Sequence, residues 1–217
     1  MCLVALLKVL INLEKNMINL EIKVVAPNIE EIKNKALEIG ASNKSILHQA
    51  DIYFLTGIKR LKLREESLLL NSLDKTKRSE FELFFKDRST CKKLKFKNYI
   101  VYYVRGNKKD SKFSNYHIVN VPNILLTLTK KVLTFVFGIK VVVNKERELF
   151  IYKNTRIHCD AVKNLGNYVE LETVFSKTQN EEDLTQEHQF VIQLLGLNYL
   201  EKIPDSYSDL LIYKNLK

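Results

Sequence analysis

The sequence predicts an α+β fold: an antiparallel sheet of eight to nine short strands, curled toward closure, with helices packed outside. Three observations carry this reading. Apolar and polar residues alternate with a period of two in segment after segment, as in strands with one buried face. Three segments, 29–39, 124–137 and 181–195, repeat their apolar residues at roughly helical spacing and stop at Gly40, Gly138 and Gly196. The polar parity of the strands is also strongly charged, with Lys, Arg, Asp and Glu on one face of strand after strand. If that face pointed outward, the sheet would need a large apolar partner layer, and the three helices supply it on one side only. If the sheet closes, the charged face becomes a lumen. Such a lumen is too costly to leave empty and unpaired, and it suits water, metal ions and a polyanion.

Ile18 to Ala26 is the first strand, with Leu20, Ile22 and Val24 on one face and Asn19, Glu21 and Lys23 on the other. Pro27 and Asn28 end it. Asn28 is placed to cap the helix that follows, with Glu31 at the third position of its first turn. Ile46 to Thr56 is the second strand, with Asp51 and Tyr53 on one face, and Gly57 turns the chain into the third. There Arg60, Lys62 and Arg64 share a face. Three like charges in a row repel one another unless an anion or facing carboxylates offset them.

Residues 67–98 hold no clean period. They carry nine Lys or Arg against four acids, a net +5 that is half of the whole-chain charge of +10. The segment is read as a basic surface insertion. Without it the charge is a weak argument for nucleic acid as a partner.

Tyr99 to Arg105 and Tyr116 to Val121 continue the sheet, and Pro122 and Asn123 open the apolar helix 124–137. Ile139 to Lys145 and Arg147 to Lys153 read as a hairpin in which Lys145 and Arg147 keep the same parity. Next, Arg156, His158 and Asp160 alternate with Ile157, Cys159 and Ala161. A turn over 163–167 leads to Glu170 and Glu172, alternating with Val169 and Leu171. The last helix precedes a tail, SYSDLLIY, that reads as a short docking helix.

At 217 residues, with 46% hydrophobic and 28% charged content, the chain is large enough for a core and too apolar for global disorder. The positive balance points to an anionic partner. Three scattered cysteines without CxxC spacing fit a reducing compartment and exclude a zinc signature. The apolar run 2–11 is too short to span a bilayer and a poor match to a signal peptide. Residues 1–16 are therefore read as an extension of a single domain spanning 17–217, and the protein is expected to be cytoplasmic, without a membrane partner.

The chain resembles the CYTH, or triphosphate tunnel metalloenzyme, family. The resemblance rests on NLEIK (19–23), QADIYF (49–54), RLKLRE (60–65), YYVR (102–105), VNKERELF (143–150), RIHCDAVKNLGNYVELE (156–172) and SYSDLL (206–211), in the family's order. It implies an antiparallel eight-stranded tunnel, closed or nearly so, acting on a small-molecule triphosphate; monomer and homodimer both stay open. By position, Lys23, Lys62, Arg64, Arg105, Lys145, Arg147 and Arg156 would hold triphosphate oxygens. Glu21, Glu170 and Glu172 would hold Mg²⁺ or Mn²⁺, Asp160 would help hold the metal or orient a basic partner, and Lys23, Glu170 and Glu172 would carry catalysis. The implied activity is a metal-dependent triphosphatase acting on tripolyphosphate, thiamine triphosphate or a nucleoside triphosphate. A class IV adenylyl cyclase and a non-catalytic polyphosphate binder are the alternatives. Asn19 stands where the family's ExExK motif has its first acid, and a neutral amide is a weaker metal ligand than a carboxylate.

Each site residue also has a plainer reading. Glu170 and Glu172 alone would be solvated strand residues, and Lys62 and Arg64 alone an edge-strand device. Asp51 and Tyr53 read as wall residues, and His158 as a structural or hydrogen-bonding residue. The joint pattern carries the functional reading.

Overall fold

The computed structural model describes residues 17–57, 60–69, 95–104, 112–175 and 180–216. The 1–16 extension, Arg105 and residues 70–94 of the basic insertion lie outside them. Eight strands form the sheet: β1 (Met17–Val25), β2 (Ser42–Phe54), β3 (Arg60–Leu69), β4 (Lys95–Val104), β5 (Lys112–Asn120), β6 (Ile139–Tyr152), β7 (Thr155–Val162) and β8 (Gly166–Phe175). All pairings are antiparallel. The hydrogen-bonded order β1-β5-β4-β3-β2-β6-β7-β8 returns to β1 through Ile18↔Phe175 to Val25↔Tyr168. The predicted barrel is therefore closed, with strand edges paired on both sides.

Two expectations are corrected. The segment 139–153 is not a hairpin but one strand of 14 residues. Val143 to Arg147 contains no Gly or Pro, and β2, 13 residues long, pairs along almost all of the strand and holds it extended. The insertion is also shorter than 67–98, because Ser67↔Phe96 and Leu68↔Lys95 continue the β3–β4 ladder into it. The flanking strands thus remain in register. The expected turn after β7 forms at 163–165. Asn164 takes a positive φ of 67°, a conformation Asn tolerates better than most residues.

Among the described residues four α-helices sit outside: α1 (Ile29–Glu38), α2 (Asn123–Phe137), α3 (Glu181–Leu194) and α4 (Tyr207–Asn215). The strand parity explains where they go. Ile22, Val24, Phe150, Ile157, Val169 and Leu171 face outward and are covered by Ile29, Ile32 and Ala36 of α1 and Val191 and Ile192 of α3. Ile52, Phe54, Leu61 and Leu63 pack beneath Leu126 and Leu133 of α2. The apolar parity thus faces the helices and the charged parity faces inward. A buried chain, Thr155 to Thr173 at 2.9 Å and Thr173 to His188 Nδ1 at 2.8 Å, ties α3 to the barrel wall. The expected side-chain cap of α1 does not form: the Asn28 amide donates to Glu31 at 3.1 Å instead. Among the described residues no helix is long and apolar enough to cross a membrane.

The tail supplies α4, which closes one end of the barrel. Ser206 caps it in a reciprocal box with Asp209. The same Asp209 carboxylate takes Arg60 of β3 at 2.7 Å. Tyr207 and Leu211 pack on Tyr53, Val143, Val162 and Tyr168.

Candidate active site

The inward parity encloses a cavity of about 620 Å³, lined by Glu21, Lys23, Lys62, Arg64, Lys145, Arg147, Arg156, Glu170 and Glu172 among others. All predicted site residues within the described part of the chain line it except Asp160. Closure accounts for the convergence: these residues, on five different strands, share a lumen because each strand turns the same parity toward the axis.

Three groups of ion pairs organise the wall. Asp51, 2% exposed, accepts from Lys62 at 2.9 Å and from Arg64 through two bonds at 2.6 and 2.7 Å. Burial pushes its carboxyl up, but the charges of Arg64 and Lys62 outweigh this and hold it well below the usual range. Asp160, fully buried, accepts from Lys145 at 3.1 Å, from Arg147 through two bonds at 2.6 Å, and from the Tyr207 hydroxyl at 2.9 Å. These four donors fill its two oxygens, and it lies behind the cations rather than on the cavity wall. Its geometry fits orienting Lys145 and Arg147, not holding a metal.

The third group is on β8. Glu170 accepts from Arg147 at 2.9 Å and pairs with Lys23 at 3.4 Å. Glu172 accepts from the Asn19 amide at 2.7 Å and from Arg156 at 3.1 Å. The two nitrogens of His158 stand 3.9 Å from one carboxylate each, Nδ1 from Glu170 and Nε2 from Glu172, too far for a direct hydrogen bond. Burial followed by the Arg147 charge lowers the His158 pKa, favouring the neutral ring.

The cations are asymmetric. Burial and the neighbouring Arg64 push Lys62 down to about 7, and burial with Arg147 pushes Lys145 down to about 8. Arg64 and Arg147 remain charged, because Asp51 and Asp160 overcome the burial penalty. The wall thus contains permanently charged forks and two ammonium groups that shed their protons readily without an added anion.

Several lining residues carried no predicted role. Tyr207 places its ring 4.1 Å from Lys23 and 5.0 Å from Lys145, but the motif gave only its helix, not its reach. Tyr103, which carried none, flanks Lys62 at 6.0 Å, with the expected wall residue Tyr53 at 5.5 Å. Gln49 and Tyr99 also line the cavity, and their parity with Asp51 and Tyr103 could have identified them.

Among the described residues, no three of His, Cys, Asp and Glu form a ready metal cluster. The donor chemistry nonetheless fits a hard cation. Glu21 and Glu172 are direct cross-strand partners facing the lumen, with Glu170 two residues away.

Comparison with known proteins points the same way. The CYTH domain profile matches residues 17–207. No curated protein matches the sequence. Among solved structures, the PH1012 protein of Pyrococcus horikoshii is 25% identical, over 88% of this chain and 98% of its own, with a TM-score of 0.62. HpAC1 from Hippeastrum, described as having a dominant triphosphatase activity, is 11% identical over 93% and 96%, with a TM-score of 0.52. A chain of the Schizosaccharomyces pombe Mediator head module reaches the same TM-score at 12% identity over 87% and 98%. The last two share the fold, which alone does not assign an activity. With the domain profile covering most of the chain and the closed, charged barrel on the page, the protein belongs to the CYTH family.

Proposed function

We propose that this protein is a metal-dependent triphosphatase that binds a triphosphate within the barrel and hydrolyses its terminal phosphoanhydride. The observation that carries the reading is the convergence of six cations, Lys23, Lys62, Arg64, Lys145, Arg147 and Arg156, with the Glu170–Glu172 pair on one lumen. A triphosphate chain is the anion that matches so many cations in line. Arg forks can hold its oxygens bidentately, and the Lys groups act as point charges. Asp51 and Asp160 keep the cations in place while the site is free.

Bound phosphate oxygens compete with Glu170 and Glu172 for Arg147 and Arg156. Drawing those guanidinium groups toward the substrate leaves the two carboxylates, with Glu21, available to Mg²⁺ or Mn²⁺. A bound cation would offset charge on the phosphate oxygens. The chain's own part is positional and electrostatic: it holds the triphosphate extended, excludes bulk water at the α4 end and faces the terminal phosphorus with fixed cations. Water attacks that phosphorus, the bond to the bridging oxygen breaks, and orthophosphate and the diphosphate leave.

The test is phosphate release from tripolyphosphate, thiamine triphosphate and ATP with Mg²⁺ or Mn²⁺, with cyclic AMP followed in parallel. Release that vanishes in Glu170→Gln and in Lys23→Ala supports the hydrolase. Cyclic AMP from ATP would redirect the chemistry to cyclisation, and tight binding without turnover would leave a polyphosphate-binding protein.

A further inference from the structure

Helix α2 carries two apolar faces. Leu126 and Leu133, with Phe137, pack on residues of β2 and β3. Ile124, Leu125, Leu128, Val132, Phe135 and Val136 fall on the other side, within about 120° of arc at roughly 100° per residue. Phe135 is 93% exposed, Ile124 89% and Leu128 60%, and the exposed apolar surface runs on past Gly138 to Ile139 and Leu55. Thr127, Lys130, Lys131 and Thr134 take the remaining arc, where Lys130 meets Glu65 of β3 at 3.3 Å. A helix lying on a barrel in water needs only the inward stripe, and a second one of this width calls for a cover.

The register of β1 points to what covers it. Met17 pairs with Tyr116 of β5, and β5 runs four residues further, to Asn120, before Val121 and Pro122 lead into α2. Carried on in that register, residues 13–16 fall opposite 117–120, so the chain ahead of them begins at the end of the barrel where α2 begins. The outer side of β5 adjoins α2: the rings of His117 and Tyr102 are 6.2 Å apart, and Tyr102 packs against the inward cluster of α2. In residues 1–12, MCLVALLKVLIN, ten are apolar and Lys8 is the only charge. Even at the helical rise, twelve residues span about 18 Å, against about 22 Å for α2. The CYTH profile starts at residue 17, so this segment lies outside the matched domain.

We propose that residues 1–12 of this chain cover the outer stripe of α2, running antiparallel to it. Two apolar surfaces that would each face water then cover one another, joined by four residues that extend the β1–β5 ladder. The segment is tethered beside the stripe, which gives it an effective concentration that a separate partner does not reach. A second copy of the chain would also bring a net charge of +10 against the same charge.

The experiment compares thermal melting and light-scattering mass for the whole chain, for Leu128→Asp, for a chain lacking residues 2–12 and for both changes together, with flotation on phosphatidylserine vesicles. Leu128→Asp is expected to lower the Tm of the whole chain by roughly 5 °C or more, because it puts a charge into a covered apolar contact. In the truncated chain the same substitution is on the surface and should shift Tm by no more than about 2 °C. Equal shifts in the two backgrounds overturn the proposal. A whole-chain dimer that Leu128→Asp splits gives the stripe to a second copy, and flotation that Leu128→Asp abolishes gives it to lipid; either result overturns it as well. If the truncated chain does not fold, Leu6→Asp with Leu7→Asp in the whole chain takes its place, with the same outcomes.

Discussion

Asp160→Asn removes one negative charge from beneath two buried cations while keeping nearly the same shape. Asp160 is fully buried and accepts two bonds from Arg147, one from Lys145 and one from Tyr207. Breaking a buried pair from one side costs about 3–5 kcal/mol, because the partner charge is left uncompensated. For a chain of this size, that corresponds to a melting temperature lowered by roughly 6–20 °C. The pH dependence carries more information than the size of the loss. Lys145 already sits at about 8, below its ordinary 10.5, and the Asp160 charge is among the influences that keep it from falling further. In the variant its folded pKa drops further, so the unfolded chain binds the extra proton over a wider span of pH. Stability therefore rises with pH across that span, and the deficit against wild type narrows as pH rises from 6 toward about 8, the wild-type value, above which both curves climb together. Urea denaturation followed by circular dichroism at pH 6, 7, 8 and 9 reads both quantities. A loss below about 1 kcal/mol at pH 7, or two curves that run parallel with pH, would refute the assignment of Asp160 as the counter-charge of Lys145 and Arg147.

Lys62 and Lys145, pushed down to about 7 and 8, should take up protons when a polyanion binds. Tripolyphosphate titrated at pH 8 in buffers of different ionisation enthalpy should show uptake approaching one proton or more, and none if both groups are charged beforehand. His48 and His188, pushed down to about 4 by burial, bind fewer protons folded than unfolded. Stability should accordingly fall as pH drops from 6.5 toward 4, by on the order of 2–3 kcal/mol per histidine, with a flatter slope in His188→Asn; an unchanged slope would count against this source. Replacing 70–94 with a short turn should leave the melting temperature nearly unchanged, because Leu68↔Lys95 already closes the β3–β4 ladder. The same variant should keep any nucleic-acid affinity the whole chain shows; its loss would give the basic segment a binding role. Ser206→Ala should uncap α4 at a cost of about 1 kcal/mol, and a calorimetric melt that does not shift would show the box to be idle.

Much of the site was legible as parity. Glu21 with Lys23, Lys62 with Arg64, Lys145 with Arg147, and Glu170 with Glu172 each share a face because a strand repeats every two residues, and that relation needs no tertiary information. The same rule held across the misread turn in β6: calling a hairpin at 145–147 did not change which residues point inward. Asp160 shows the limit. Its parity matched that of the other site residues, but whether a carboxylate meets a metal or stands behind two cations depends on side chains from β6 and on Tyr207, 47 residues away in the chain.

The sequence by itself determined the elements, the alternation of charged and apolar faces, and the set of cations and carboxylates available to a site, because these are local periodicities written into neighbouring residues. Only the tertiary structure decided that β1 pairs with both β5 and β8, that the charged face is therefore the inside, and that the tail helix stoppers one end. It also decided which acid serves which base. Closure and register arise from contacts between residues far apart in the chain, and no single strand carries that information.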